Sequence, residues 1–346
     1  MTLILQRLHK SMADAHPFGS LKLPAFHPHP LLRNPHAQTV AGTYLPGQSY
    51  KYRATPWRIC LGDGDSIVVH EDCPSQWRSG SRIVLLLHGL GGSHLSTYLV
   101  RLAAKLNAIG VRTFRMDLRG YGAGFKLARG IGHAGRSEDV CTVVSRIVEH
   151  CPDSPLTVVG FSKSANTVLK YLAELEGSTP TGLDSVIAVA PPIDLVHCGQ
   201  NLRERMNRFY DQSFMKCLIQ LVRQRHRVVP GLPRVGRLPE RLWQFDDQYT
   251  APLSGFSGVM DYYTQASAGP LLSRIRTPTL ILTAADDPLI PVAMFDRYEL
   301  SSSITLHVTK HGGHVGYIGV GGTDPDHRWM DWRIVDLIKQ VDGAVG

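Results

Sequence analysis

Apolar and polar positions change period several times along this chain, and the changes divide it into elements. Two strand-like runs, KYRATPWRIC and SIVVHEDC, lie between Tyr50 and Cys73 and are joined by Gly62-Asp63-Gly64-Asp65. An Asp-Gly turn between two such runs predicts a hairpin, here an antiparallel pair that opens a sheet. Beyond it the apolar runs become continuous. RIVLLLHG (82–89), VRTFRMDL (111–118), LTVVGF (156–161), SVIAVAPP (185–192), TPTLILTAADD (277–287) and ITLHVTKHGGH (304–314) read as strands buried on both faces. Helical text separates them: after Gly89, over 136–150, after Ser162, briefly after Asp287, and over 326–341. Strand and helix in alternation predict the α/β class, with a mostly parallel sheet covered by helices on both faces.

The rhythm breaks over residues 195–273. Phe214, Cys217, Leu218, Leu221 and Val222 fall at i, i+3, i+4, i+7 and i+8, the apolar stripe of a helix, before Pro230, Pro233 and Pro239 interrupt it. A helical insertion late in a regular α/β sheet reads as a cap or lid. The expected organisation is therefore an N-terminal extension (1–49) packing on the core, a core of 50–194 with 274–346, and a cap of 195–273.

Composition narrows the function classes. With 346 residues and 43% hydrophobic content the chain can bury a large core, and no internal repeat is visible. The net charge of +8 invites a nucleic-acid or membrane-surface reading. Charged residues are only 19% of the chain, however, and no zinc finger, RNP motif or long basic block occurs, so nucleic acid is excluded as a partner. The densest basic stretch, with Arg223, Arg225, Arg227 and Arg234, reads as a solvated helix face. Six cysteines without a C-x-x-C pair suit reduced thiols. Neither a signal segment nor an 18-residue apolar span is found, which makes a cytoplasmic protein the expectation. The histidines between His16 and His36, interleaved with proline, read as loop residues rather than metal ligands; neither metal nor cofactor is expected.

Ligands of open α/β sheets sit at the carboxyl ends of the strands, so the residues that follow each strand carry the chemistry. After Leu87 come His88-Gly89-Leu90-Gly91-Gly92-Ser93. Ser162 follows Phe161, Asp286 and Asp287 follow Ala285, and the last strand leads to His311-Gly312-Gly313-His314. A serine hydroxyl needs an imidazole base within hydrogen-bond reach and a carboxylate to orient that imidazole. The order Ser, Asp, His supplies all three. Ser162 is the candidate nucleophile and His314 the candidate base, with His311 as its competitor. Asp287, before Pro288 in D-P-L-I-P, is the preferred acid over Asp286. The backbone N–H groups of Lys163 and Leu90 are the expected oxyanion donors. HGLGG lacks the Walker and Rossmann glycine patterns, so phosphate cradling is not the expectation.

PLLRNPHAQTV (30–40), HGLGGS, the Arg119-Gly120 turn, GFSKSAN, FDDQYTAPLSGFSGVMDYYTQAS (245–267), AADDP and GGHVGY resemble the YheT-type branch (AB hydrolase 4) of the α/β-hydrolase superfamily. The likeness runs from about residue 25 to the C-terminal helix. It implies an α/β-hydrolase fold, a triad of Ser162, Asp287 and His314, and the activity of a serine esterase or lipase, with phospholipid-directed members and fungal relatives that transfer acyl groups to alcohols. The elbow departs from the family's G-F-S-x-G-G-N: Ser164 and Ala165 replace two glycines, while Asn166 is kept. As the next smallest residues, they are expected to preserve the turn. Eukaryotic relatives often carry an N-terminal membrane anchor, which is not seen here.

These readings converge on a carboxylic-ester hydrolase working through an acyl-enzyme. Its partner is a small acyl ester or lipid, with transient membrane-surface contact allowed by the basic charge. Two rivals stand beside it: an acyltransferase that uses an alcohol in place of water, and a non-catalytic binding protein on a hydrolase fold.

Overall fold

The computed structural model describes residues 17–18, 23–45, 54–232 and 239–344. Its frame is an eight-stranded sheet made of β1 Thr55–Cys60, β2 Ser66–Asp72, β3 Ile83–Leu87, β4 Arg112–Met116, β5 Leu156–Phe161, β6 Leu183–Val189, β7 Thr279–Ala284 and β8 Ile304–Thr309. The strands lie in the order β1-β2-β4-β3-β5-β6-β7-β8. β2 pairs antiparallel with β1 and with β4, and all other pairings are parallel. The Asp-Gly hairpin forms between β1 and β2, and each continuous apolar run supplies one parallel strand. Around the sheet run α1 Pro35–Tyr44, α2 Thr97–Ala108, α3 Ser137–His150, α4 Lys163–Glu174, α5 Leu195–Arg203, α6 Arg208–Val228, α7 Val259–Ala266 and α8 Trp329–Ala344.

Alternation along the strands builds two separate cores. Leu85 and Leu87 of β3 pack with Val140 and Val144 of α3 and Val168 of α4 on one face. Val84 and Leu86 point the other way, to Leu99 and Leu102 of α2 and Ile334 and Ile338 of α8. All five β3 residues are buried, and each large apolar side chain so enclosed contributes about 1.5–3 kcal/mol. That two-sided burial is why these runs carry no polar alternation. It also fixes register, since a one-residue slip would exchange the two cores. The chain leaves β3 for β4 on one side and reaches β5 on the other, so a crevice opens at the carboxyl ends of β3 and β5.

Residues 195–273 enter between β6 and β7 and carry α5, α6 and α7. Leu202, Met215, Leu218, Val222 and Phe245 of this insert join the core on the α3/α4 face. The apolar stripe read from the sequence is rotated in the structure. Leu218 and Val222 are buried, Phe214 and Leu221 half-buried and Cys217 exposed, while Met215 and Tyr210 take buried places. Arg225 corrects the expectation of a solvated basic face. It is fully buried, and its Nη2 donates to the carbonyls of Ala128, Arg129 and Gly130 at 2.9, 3.1 and 2.7 Å. Backbone oxygens left over by an irregular loop draw the guanidinium inward. Arg223 and Arg227 are exposed, and Arg234 lies outside the described residues. Among the described residues no helix is long and apolar enough to cross a membrane.

Candidate active site

Ser162 occupies the bend between β5 and α4 at φ 53°, ψ −120°. A non-glycine residue there is strained by about 1–3 kcal/mol and persists only where its surroundings fix it. Here Ser162 N–H donates to Val189 O at 2.8 Å, and Ser162 O accepts from the Ala165 and Asn166 amides. A Cβ on Gly160 would stand 2.9 Å from Ala165 Cα, so glycine is required at that position. The two departures from the glycine pattern fit differently. Ala165 is completely buried. Ser164 Oγ accepts from Phe161 N–H at 3.0 Å and donates to Leu87 O at 2.8 Å, tying the end of β5 to the end of β3. Asn166 is fully satisfied: Nδ2 donates to Ala134 O and Ala266 O, and Oδ1 accepts from Ala268 N–H.

His314 Nε2 lies 2.9 Å from Ser162 Oγ, and its Nδ1 lies 2.9 Å from Asp287 Oδ2. The other Asp287 oxygen accepts from Leu289 N–H and Ile290 N–H at 2.8 and 3.0 Å, which fixes the carboxylate from behind. The neighbouring acid and histidine form a pair of their own. Asp286 Oδ2 meets His311 Nδ1 at 3.2 Å, and Asp286 Oδ1 accepts from Gly313 N–H. The two pairs differ in setting: the side chains of His314 and Asp287 are 11% and 0% exposed, those of His311 and Asp286 38% and 18%. Only the first pair reaches the serine.

The loop bearing His314 is braced by α1. Thr39 Oγ1 accepts from His314 N–H at 2.9 Å and donates to Pro35 O. Gln38 Oε1 accepts from Ile318 N–H while its amide donates to Ile318 O and Leu32 O. Asn34 caps the helix by accepting from the His36 and Ala37 amides. Gly42, Gly313 and Gly316 permit this contact, since a Cβ on any of them would meet backbone within 2.6 Å. The N-P-H-x-Q-T run, known from the sequence only as a point of resemblance, thus has a physical task. It was hidden because its partners lie about 280 residues along the chain.

On the opposite side, the 88–96 loop approaches the serine closely enough that a Cβ on Gly89 would stand 3.2 Å from Ser162 Cβ. His88 is buried, which pushes its pKa down to about 4 and keeps the ring neutral. Its Nδ1–H donates to Gly89 O while Nε2 accepts from Leu118 N–H. Asp117 accepts from His94 N–H at 2.7 Å, from Ala123 N–H at 2.8 Å, and from the rings of His70 and His94 at 3.0 and 2.8 Å. Burial works to raise the Asp117 pKa, but the bonds from His70 and His94 hold it well below the carboxylate range. His70, His94 and Asp117 also lie close enough to share a metal ion. Their rings, however, stack at 3.4 Å with planes 13° apart, so one ion between the nitrogens would lie out of both ring planes. The cluster suits a shared carboxylate that anchors the loop. Within that loop Leu90 N–H has no acceptor among the described residues, and neither has Lys163 N–H at the start of α4.

Ser162, His314, Leu90 and Lys163 open onto a cavity of about 820 Å³, its mouth included. The walls are mostly apolar: Leu195, Leu202, Phe214, Leu218, Phe245 and Ile290 are among them, several drawn from the insert. Three polar side chains to which the sequence reading gave no role, His133, Lys163 and Asp246, also line it; Lys163 and Asp246 lie in the GFSKSAN and FDDQYT segments, but the three converge only in the fold.

A family model described as alpha/beta hydrolase fold matches residues 82–319. The YheT protein of Escherichia coli (strain K12), which carries the name of a candidate esterase, is 30% identical over 88% of this chain and 90% of its own length. Phospholipase ABHD3 of Homo sapiens is 25% identical over 68% of this chain and 58% of its own. Medium-chain fatty acid ethyl ester synthase/esterase 2 of Saccharomyces cerevisiae is 26% identical over 76% of this chain and 63% of its own. Among solved structures, esterase Pf2001 of Pyrococcus furiosus superposes with a TM-score of 0.54 over 92% of this chain and 98% of that one at 16% identity, a likeness of fold.

Proposed function

Because this chain belongs to the α/β-hydrolase family, we propose that it is a serine carboxylic-ester hydrolase of the esterase and lipase type that works through an acyl-enzyme. The observation that carries the reading is the hydrogen-bonded line Ser162–His314–Asp287 at the mouth of an apolar cavity. His314 Nε2 takes the Ser162 proton as Oγ attacks the ester carbonyl, and Asp287 holds Nδ1–H and stabilises the imidazolium. The carbonyl oxygen, now negative, is received by the free N–H groups of Leu90 and Lys163. Collapse of the tetrahedral adduct breaks the C–O bond to the alcohol, which leaves with the proton from His314. Water then enters, gives a proton to His314 and attacks the acyl-enzyme, and Ser162 recovers its proton as the acid departs. The insert supplies one wall of the acyl cavity and acts as its cap. Small acyl esters or lipids are the substrates.

Fluorophosphonate labelling and hydrolysis of p-nitrophenyl esters of graded chain length test this, with Ser162→Ala as control. Wild-type protein is expected to label and to exceed the control by a factor of about 10⁴ or more in kcat. Absence of both activities would leave only a binding role on this fold. The yeast relative whose name joins synthase to esterase also favours a trial of alcohol as acceptor. Ethyl ester formed at fixed ethanol concentration, set against acid released, separates transfer from hydrolysis.

A further inference from the structure

The cavity beside Ser162 contains a polar group that the proposed ester chemistry leaves unused. Lys163, His133 and Asp246 are 8%, 7% and 8% exposed, and all three line the otherwise apolar wall. Lys163 Nζ donates one hydrogen bond, to Gly132 O at 2.8 Å, and stands 4.6 Å from the centre of the Tyr121 ring. An ammonium carries three N–H donors and a neutral amine two, so at least one remains without an acceptor. His133 Nδ1 accepts from Gly135 N–H, which leaves the proton on Nε2, and Nε2 has no acceptor among the described residues. Burial pushes the His133 pKa down to about 2, so this ring is a neutral donor. Facing them, Asp246 accepts from Thr250 Oγ1 and Tyr263 OH, one bond to each oxygen, with lone pairs to spare. Lys163 and Asp246 line the same cavity, yet no hydrogen bond or ion pair joins them among the described residues. Donors and an acceptor with spare capacity, on the walls of one apolar cavity and not bonded to each other, leave room for a group that can pair with both.

We propose that Lys163, His133 and Asp246 form a specificity subsite that receives a hydroxyl on the acyl chain, so that the preferred substrates are esters of hydroxy acids. The inference rests on the ester-hydrolase reading. A hydroxyl oxygen accepts from Lys163 or His133, and its hydrogen goes to Asp246, which pairs with both sides without adding charge. A plain methylene leaves their spare donor and acceptor positions unmet. A carboxylate would pair with Lys163 but confront Asp246. The selectivity therefore favours a neutral donor–acceptor over both.

The test compares p-nitrophenyl octanoate with its positional hydroxyoctanoate isomers and with the mono-p-nitrophenyl ester of octanedioic acid. One hydroxy isomer is expected to exceed octanoate in kcat/KM by about 10- to 100-fold, the effect of one or two charge-assisted hydrogen bonds. Lys163→Met and, independently, Asp246→Asn are expected to bring that ratio close to one. The inference is overturned if no hydroxy isomer beats octanoate, if the ratio survives both substitutions, or if the dioic ester is preferred. A second readout does not need turnover: calorimetric binding of the methyl hydroxyoctanoates to Ser162→Ala protein. Should the wild type hydrolyse nothing, the ester-hydrolase reading fails, and equal binding of hydroxylated and plain methyl esters then overturns the subsite as well.

Discussion

Ser162 stands at φ 53° with its amide and carbonyl both engaged, and that strained geometry turns Oγ toward His314. The sequence pointed to this serine through its place after an apolar run. It favoured Asp287 over Asp286 and His314 over His311 but could not give their distances to Ser162, because neighbouring residues on a glycine-rich loop differ by a turn of backbone that composition does not encode. The geometry separates them, and mutation can test the difference. Asp287→Asn is expected to lower kcat by about 10⁴-fold, since an amide favours the wrong imidazole tautomer. Asp286→Asn, whose partner His311 is solvated, should stay within about tenfold in steady-state assays with a p-nitrophenyl ester. Comparable losses at both would break the assignment. Lys163 offers a test by titration. Burial puts its folded pKa at about 7 against an ordinary 10.5. Between those values the unfolded chain holds a proton that the folded protein has released, so this group makes stability rise as pH climbs from 7 towards 10.5. Asp246, raised by burial to about 6 from 3.8, makes stability fall as pH climbs between those two values. Urea midpoints should therefore gain less between pH 7 and pH 10 in Lys163→Met than in wild type; an equal gain would place the proton elsewhere.

At the scale of elements, regular parts were legible and contacts between distant parts were not. Runs such as LTVVGF and TPTLILTAADD gave their strands because burial on two faces demands continuous apolar text. The stripe on α6 was misplaced by about one residue's rotation, and Arg225 was taken for a solvent-facing cation. The loop carbonyls that draw it inward are about 95 residues away along the chain. The same distance problem hid the work of α1, whose Thr39 holds the His314 amide. Its packing is close: a Cβ on Gly42 would stand 2.6 Å from Gly316 Cα, backbone against backbone. Gly42→Ala should therefore push α1 away from the histidine loop. Overpacking of this kind costs about 1–3 kcal/mol, and a base displaced by even a fraction of an ångström is expected to lower kcat by about 10- to 100-fold. Kinetics near the KM would separate this from a binding defect, which would appear mainly in KM. An unchanged kcat would mean that α1 does not position His314.

For the whole molecule, the question is how residues 195–273 move relative to the sheet. The insert shares the α3/α4-face core through Leu218, Val222 and Phe245, so it is built into the fold rather than hinged on a linker. Among its polar ties is Arg225, with one nitrogen on three carbonyls of the 128–130 loop, which runs on into the cavity wall at Ile131, Gly132 and His133. Truncating that guanidinium removes the donor from all three carbonyls, of which that of Ala128 is buried, at about 1–3 kcal/mol for a group that water cannot reach. If α6 opens as a unit, the loss should fall on that unit and on the wall beside it, and spare the strands. Hydrogen exchange tests this with Arg225→Met, which keeps the apolar bulk. Amides of α6 and of residues 128–134 are expected to exchange about tenfold to a hundredfold faster, whereas those of β3, β5 and β6 keep their protection. Acceleration spread evenly over helix and strands would instead make insert and sheet one cooperative unit. Access to the cavity would then depend on its mouth, not on movement of the insert.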